Sequence, residues 1–193
     1  MKVNKIARYI ALICILITSF GCAPTGLYIS NTIPSTMQQN INTAEGKDIS
    51  FKFLPHPSGD LIEVKIGPMW DASYSINQPF KGLTKELLET KFSEITDNSL
   101  NKITVKITEL ESKVHIGALG TREAYSLKMV INVELEKEGD INNKRFSYSF
   151  DMPIRSGFSN ANMVFKKELS DGVKELLLKF VISIDKYIDS NRL

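Results

Sequence analysis

The sequence predicts an α+β domain in which an antiparallel sheet of about five strands carries two helices on one face, preceded by an apolar leader and a flexible tether. Three observations lead there. Tyr125, Leu127, Met129, Ile131, Val133 and Leu135 alternate with Ser126, Lys128, Asn132, Glu134 and Glu136, the pattern of a strand with one buried and one solvated face. Phe165, Leu169, Val173, Leu176, Phe180, Ile184 and Tyr187 advance by three or four, which sets them on one side of a helix. Residues 22–47 are rich in Ser, Thr, Asn, Gln and Pro and have few periodic apolar positions, the composition of a tether.

In chain order, the tether holds one short candidate strand at 27–29. Ile49, Phe51 and Phe53 alternate with polar residues up to Pro55-His56-Pro57-Ser58-Gly59-Asp60, and Ile62, Val64 and Ile66 then alternate up to Gly67-Pro68. Two strands joined by a turn fit this pattern. Trp70, Tyr74 and Ile76 share one parity in a weaker extended stretch. A first helix is expected from Leu83, Leu87, Leu88, Phe92 and Ile95, with Thr84 as its N-cap.

Three strands follow. Ile103, Val105 and Ile107 share one parity, and Val114 and Ile116 the other, so a bulge is expected near Leu110. Gly117 to Gly120 turns the chain into the 125–135 strand, and Gly139-Asp140 turns it into a third, with Phe146, Tyr148, Phe150 and Met152 on one face. The closing helix, near 25 residues long and capped by Ser159 or Asn160, lies across the sheet as a two-layer sandwich.

Composition bounds the setting. The full chain has 24 basic and 22 acidic side chains, but Lys2, Lys5 and Arg8 belong to the leader, leaving 21 basic against 22 acidic beyond it. No clustered basic stripe argues for nucleic acid. The only cysteines are Cys14, inside the leader, and Cys22, directly after it. The fold therefore rests on its core rather than on a disulfide.

The leader has a positive start, an apolar run over 10–17, and Thr18-Ser19-Phe20-Gly21-Cys22 at its end. That run is too short to span a membrane, which takes about 20 residues, and reads as an export signal with small residues before the cut. Gly21-Cys22 resembles the bacterial lipobox, with Ser19 and Phe20 where that motif usually carries an aliphatic and a small residue. The resemblance implies cleavage between Gly21 and Cys22, and a diacylglycerol on the Cys22 thiol with acyl chains such as palmitate. Residues 1–21 are then the signal, 22–47 the lipidated tether and 48–193 one periplasmic domain. Ala23, rather than Asp, after the cysteine implies the outer membrane under the sorting rule of these lipoproteins.

The globular part resembles the YajG-type outer-membrane lipoproteins of Gram-negative bacteria. The resemblance is carried by Leu83-Thr-Lys-Glu-Leu-Leu-Glu-Thr-Lys-Phe92, Ile103-Thr-Val-Lys-Ile-Thr-Glu-Leu110, Tyr125-Ser-Leu-Lys-Met129 and Phe146-Ser-Tyr-Ser-Phe150 leading into the closing helix. It implies no catalytic residue. More loosely, the layout resembles lipoproteins that assist lipopolysaccharide assembly and accessory lipoproteins of lipid transport.

Catalytic and metal chemistry has little to build on. His56 and His115 stand far apart without a His-Glu-x-x-His or a Cys partner, so neither metal nor cofactor is expected. His56 reads as a turn residue and His115 as facing water. Gly117-Ala-Leu-Gly120 lacks the Lys of a phosphate loop. Two features suit binding: Trp70 with Tyr74 as an exposed aromatic surface, weighed against Trp70 capping the core, and the amides of 154–159 as an anion site, weighed against a plain connection. The expected function is non-enzymatic: a membrane-anchored lipoprotein whose periplasmic domain binds an envelope protein. The alternative is a lipid or lipopolysaccharide carrier with a cleft between the long helix and the sheet, lined by Phe165, Leu169 and Met129.

Overall fold

The structure, a computed structural model, describes residues 25–65, 71–118, 120–154 and 161–191. The elements are β1 (Thr25–Gly26), α1 (Ser35–Gln38), β2 (Ala44–Leu54), β3 (Ile62–Lys65), β4 (Asp71–Tyr74), α2 (Asn77–Lys91), β5 (Phe92–Ile95), β6 (Asn101–Ile116), β7 (Arg122–Lys137), β8 (Asp140–Pro153) and α3 (Ala161–Ser190). Among the described residues, five strands form the main sheet in the order β5-β2-β6-β7-β8, and three form a small sheet in the order β1-β4-β3. The α+β class stands.

The antiparallel half of the main sheet follows the expected alternation. Tyr125, Leu127, Met129, Ile131, Val133 and Leu135 of β7 are all buried against Ile103, Val105 and Ile107 of β6 and the helices. The expected bulge is present, with the β6–β7 register shifting between Ile107 and Glu109. On the other face Lys102 pairs with Glu136 at 3.0 Å, and Glu109 with both Lys128 and Arg145.

The other half corrects the expectation of an all-antiparallel sheet. β2 runs parallel to both β5 and β6, pairing Phe51 with Ile103 and Phe53 with Val105, so the sheet is mixed. β2 and β3 are not a hairpin. A one-turn 3-10 segment at Pro57–Gly59 separates them, and β3 pairs antiparallel with β4 instead. Asn77 fixes that corner: its Nδ2 donates to the carbonyl of His56 at 2.9 Å and to Asp60 Oδ1 at 2.8 Å, and its Oδ1 accepts from the amide of His56.

Helix α2 starts seven residues before Thr84 and stops at Lys91. Thr84 is therefore no N-cap; it is buried mid-helix and donates to the carbonyl of Phe80 at 2.8 Å. Pro79 is tolerated because the first turn has no partner for its missing N–H. Phe92 and Ile95, expected on the helix, belong to β5.

Long helix α3 buries Phe165, Leu169, Val173, Leu176, Leu177, Phe180, Val181, Ile184 and Ile188, the expected stripe. Phe180 meets Phe80 of α2 and Tyr148 of β8, with ring centroids 5.8 and 4.8 Å apart. Both helices share one core with β7. Among the described residues, no helix is long and apolar enough to cross a membrane. The expected caps Ser159 and Asn160 lie outside the described residues.

Part of the segment expected as a tether is packed. Ile29 and Ile33 are buried in the core, the Ile33 amide donates to Glu86 Oε2 at 2.7 Å, and Gln38 Nε2 donates to Glu86 Oε1 at 2.7 Å. From Thr25 the chain is held by α2 and by the small sheet, where Thr25 pairs with Ala72.

Candidate functional site: an open sheet edge and the surfaces beside it

Tyr74 is in the core and offers no exposed aromatic surface. It is 2% exposed, and its hydroxyl shares a 2.5 Å hydrogen bond with the Tyr125 hydroxyl, which shares another of 2.9 Å with Ser112 Oγ. Burial first, and then the neighbouring Tyr125, pushes the Tyr74 phenol far above its ordinary value; burial also raises Tyr125, although the bonds from Ser112 and Tyr74 work the other way. Both phenols stay protonated and tie the small sheet to β7. Trp70, the other half of that surface, lies outside the described residues, as do Gly21 and Cys22.

The expected apolar cleft is filled. Phe165, Leu169 and Met129 are all packed in the core, and the ring of Phe150 lies so close to Gly172 that a Cβ there would stand 2.7 Å from it. Among the described residues, no group of three or more His, Cys, Asp or Glu is placed to hold a metal. His56 is half-buried, and its Nδ1 accepts from the amide of Ser58 at 3.2 Å; His115 faces water and bonds Ser126 at 2.8 Å. Gly117 and Gly120 close a turn through a 2.9 Å backbone bond, with Gly120 at φ 72°. Of the candidate anion loop only Ile154 is described, and its amide bonds the carbonyl of Glu123 at 2.8 Å.

What the structure offers instead is the edge of the main sheet. β8 is its last strand, 14 residues long, and among the described residues no strand pairs with its outer side. Lys144 and Arg145 near one end and Pro153 at the other are devices that limit indiscriminate pairing, which leaves residues 146–152 between them. Beside that stretch, β8 and α3 frame an open groove of about 390 Å³, floored by Phe150, Met152 and Leu176 and rimmed by Asp151, Glu168, Asp171 and Glu175. Lys179 in the same groove is paired with Glu175 at 3.0 Å.

A second constellation went unseen in the sequence. Lys91 is buried at the end of α2 and contacts Asp185 at 2.8 Å, Asp189 at 2.5 Å and the carbonyl of Asn42 at 3.1 Å. Burial works against the Asp189 charge, but the hydrogen bonds from Lys91 and Asn42 and the charge of Lys91 outweigh it and hold the carboxyl below its ordinary value. The signal was there: Lys91 continues the Leu83, Leu87, Leu88 stripe, and Asp185 and Asp189 are one turn apart on α3. Three charges from two helices, closed by the Asn42 carbonyl of a third segment, form a structural clamp.

No protein-family model matches the chain, and no curated protein matches its sequence. Its fold is similar to that of rare lipoprotein B from Shewanella oneidensis, at 14% identity over 76% of this chain and 96% of that one, with a TM-score of 0.51. A minor lipoprotein from Acinetobacter baumannii is 12% identical over 76% and 93% of the two chains, with a TM-score of 0.45. An uncharacterized lipoprotein B from Nitrosomonas europaea is 8% identical over 82% and 92%, with a TM-score of 0.44. These neighbours are bacterial lipoproteins, and identities this low speak for the fold alone.

Proposed function

We propose that the protein is a lipid-anchored bacterial envelope lipoprotein, of the YajG-type outer-membrane class, whose domain faces the periplasm and binds an envelope protein without catalysing a reaction. The observation that carries the binding role is the open edge of β8. An extended segment of a partner can add there as a sixth strand, its main chain supplying affinity and the groove between β8 and α3 supplying selectivity. The lipobox at Gly21-Cys22 supports the anchor, and the fold shared with a lipoprotein of Shewanella oneidensis is in keeping with it. The carrier alternative has less support, because Phe150, Leu169 and Met129 fill the space a lipid would need.

The test is affinity capture of the mature protein from detergent-solubilised envelopes, with mass spectrometry of both protein and lipid in the eluate. A stoichiometric envelope protein is expected. Lipid co-eluting without a protein would transfer the reading to the carrier.

A further inference from the structure

If Cys22 carries the lipid, as proposed above, the packing of the N-terminal segment fixes how the domain meets its membrane. Thr25 is already paired in β1, only three residues after Cys22. Three extended residues reach about 11 Å at most, less than the width of the domain. The anchored side therefore cannot stand off from the lipid surface.

That side is defined by where residues 27–31 run. The Leu27 amide donates to the carbonyl of Ser73 at 2.6 Å, the Tyr28 carbonyl accepts from Ser170 Oγ at 3.1 Å, and Asn31 lies over Gly82, whose Cβ position is 3.0 Å from the Asn31 side chain. The segment rests along α2 and touches α3. Tyr28 is 78% exposed on top of it, in a groove of about 410 Å³ shared with Gln78, Lys81 and Lys85. On α3, Met163, Lys167, Ser170 and Lys174 recur at spacings of four, three and four, on the side that meets Tyr28; Met163 is 70% exposed. The acidic groups here are already engaged or marginal: Glu86 is held by Ile33 and Gln38, Glu89 pairs with Lys85 at 3.4 Å, and Asp171 belongs to the groove beside β8.

The geometry points to the Tyr28 face as a membrane-contact surface, with Tyr28, Met163 and the stems of Lys81, Lys85, Lys167 and Lys174 seated among anionic lipid headgroups. Tyrosine favours the headgroup level because its ring is apolar and its hydroxyl polar. Lysine stems lie on apolar surface while their ammonium groups reach phosphate. The acidic groove of Asp151, Glu168 and Glu175 lies on another side of α3 and has no such affinity.

The test uses the full lipidated protein in vesicles of phosphatidylethanolamine and phosphatidylglycerol. Since Cys14 leaves with the signal and the Cys22 thiol carries the diacylglycerol, a cysteine introduced by Gln78→Cys, Met163→Cys or Ser149→Cys is the only target for a nitroxide label. Accessibility to a water-soluble nickel chelate is expected to fall severalfold at positions 78 and 163 and to stay unchanged at 149. Combining Lys81→Gln, Lys85→Gln, Lys167→Gln and Lys174→Gln should reverse most of that fall while the protein stays vesicle-bound. A diacylglycerol found on Cys22 by intact mass, with positions 78 and 163 as accessible as 149, overturns the membrane face and leaves the lipoprotein reading standing. An unlipidated Cys22 overturns both.

Discussion

The Nζ of Lys91 lies 2.8 Å from Oδ1 of Asp185, joining the last turn of α2 to the C-terminal part of α3 through a side chain that is itself only 2% exposed. Asp189, one turn further along, and the carbonyl of Asn42 complete the shell. Lys91→Met removes the cation and leaves two carboxylates facing each other. Because those carboxylates keep 17% and 36% of their exposure, the expected loss is about 2 to 3 kcal/mol, below the range for a fully buried pair. Urea denaturation measures it, and adding Asp185→Asn and Asp189→Asn to Lys91→Met should recover part of the loss.

The same clamp sets an acid limit. The Asp189 carboxyl is held below its ordinary 3.8 in the folded chain, so its contribution is present above that value and is lost as pH falls through the lower folded value. The stability difference between the parent and Asp189→Asn should therefore shrink as denaturation is repeated from neutral pH down into that range. A difference that does not change with pH contradicts the assignment.

At the other end of the core, Tyr74 and Tyr125 set an alkaline limit. Both phenols are raised above 10.0 on folding, so their contribution is complete below pH 10 and drains away as pH rises beyond it. Tyr74→Phe should cost about 1 kcal/mol at neutral pH for the lost hydrogen bond. It should also flatten the alkaline decline, since one of the two raised groups is gone.

Gly172 of α3 lies against the ring of Phe150, and a Cβ there would stand 2.7 Å from Cε2. Gly172→Leu should destabilise by about 2 kcal/mol through overpacking, even though leucine favours helix more than glycine does. Thermal denaturation decides this.

How much of this fold the sequence revealed depends on where each element finds its partner. β7 and α3 were readable because each has a single buried side, written into periods of two and of 3.6 residues, and the bulge in β6 showed as a change of parity. β2 and β3 looked like a hairpin because both alternate around a turn, but β2 pairs with β6 about fifty residues on, and nothing local encodes a distant parallel register. Phe92 and Ile95 fell on the helical stripe by spacing, although the chain is extended there and pairs with β2. The N-terminal segment read as a tether because its anchoring rests on a few widely spaced apolar residues, Ile29 and Ile33 chief among them, and on the carboxylate of Glu86. Of the binding surface, the aromatic pair is the wrong expectation for Tyr74: alternation shows its parity but not that its strand joins a small sheet whose inner side packs on Tyr125 of β7. The β8 edge could only be located once strand order was known.

The most direct test of the proposed role is a photo-crosslinking scan along β8 in intact cells, with the reactive side chain placed in turn at Ser147, Ser149 and Asp151, and at Lys52 on β2 as a control. An adduct to one envelope protein that recurs along β8 and is absent at Lys52 is the predicted result. Adducts at none of the β8 positions, from protein that is present and membrane-bound, would contradict it.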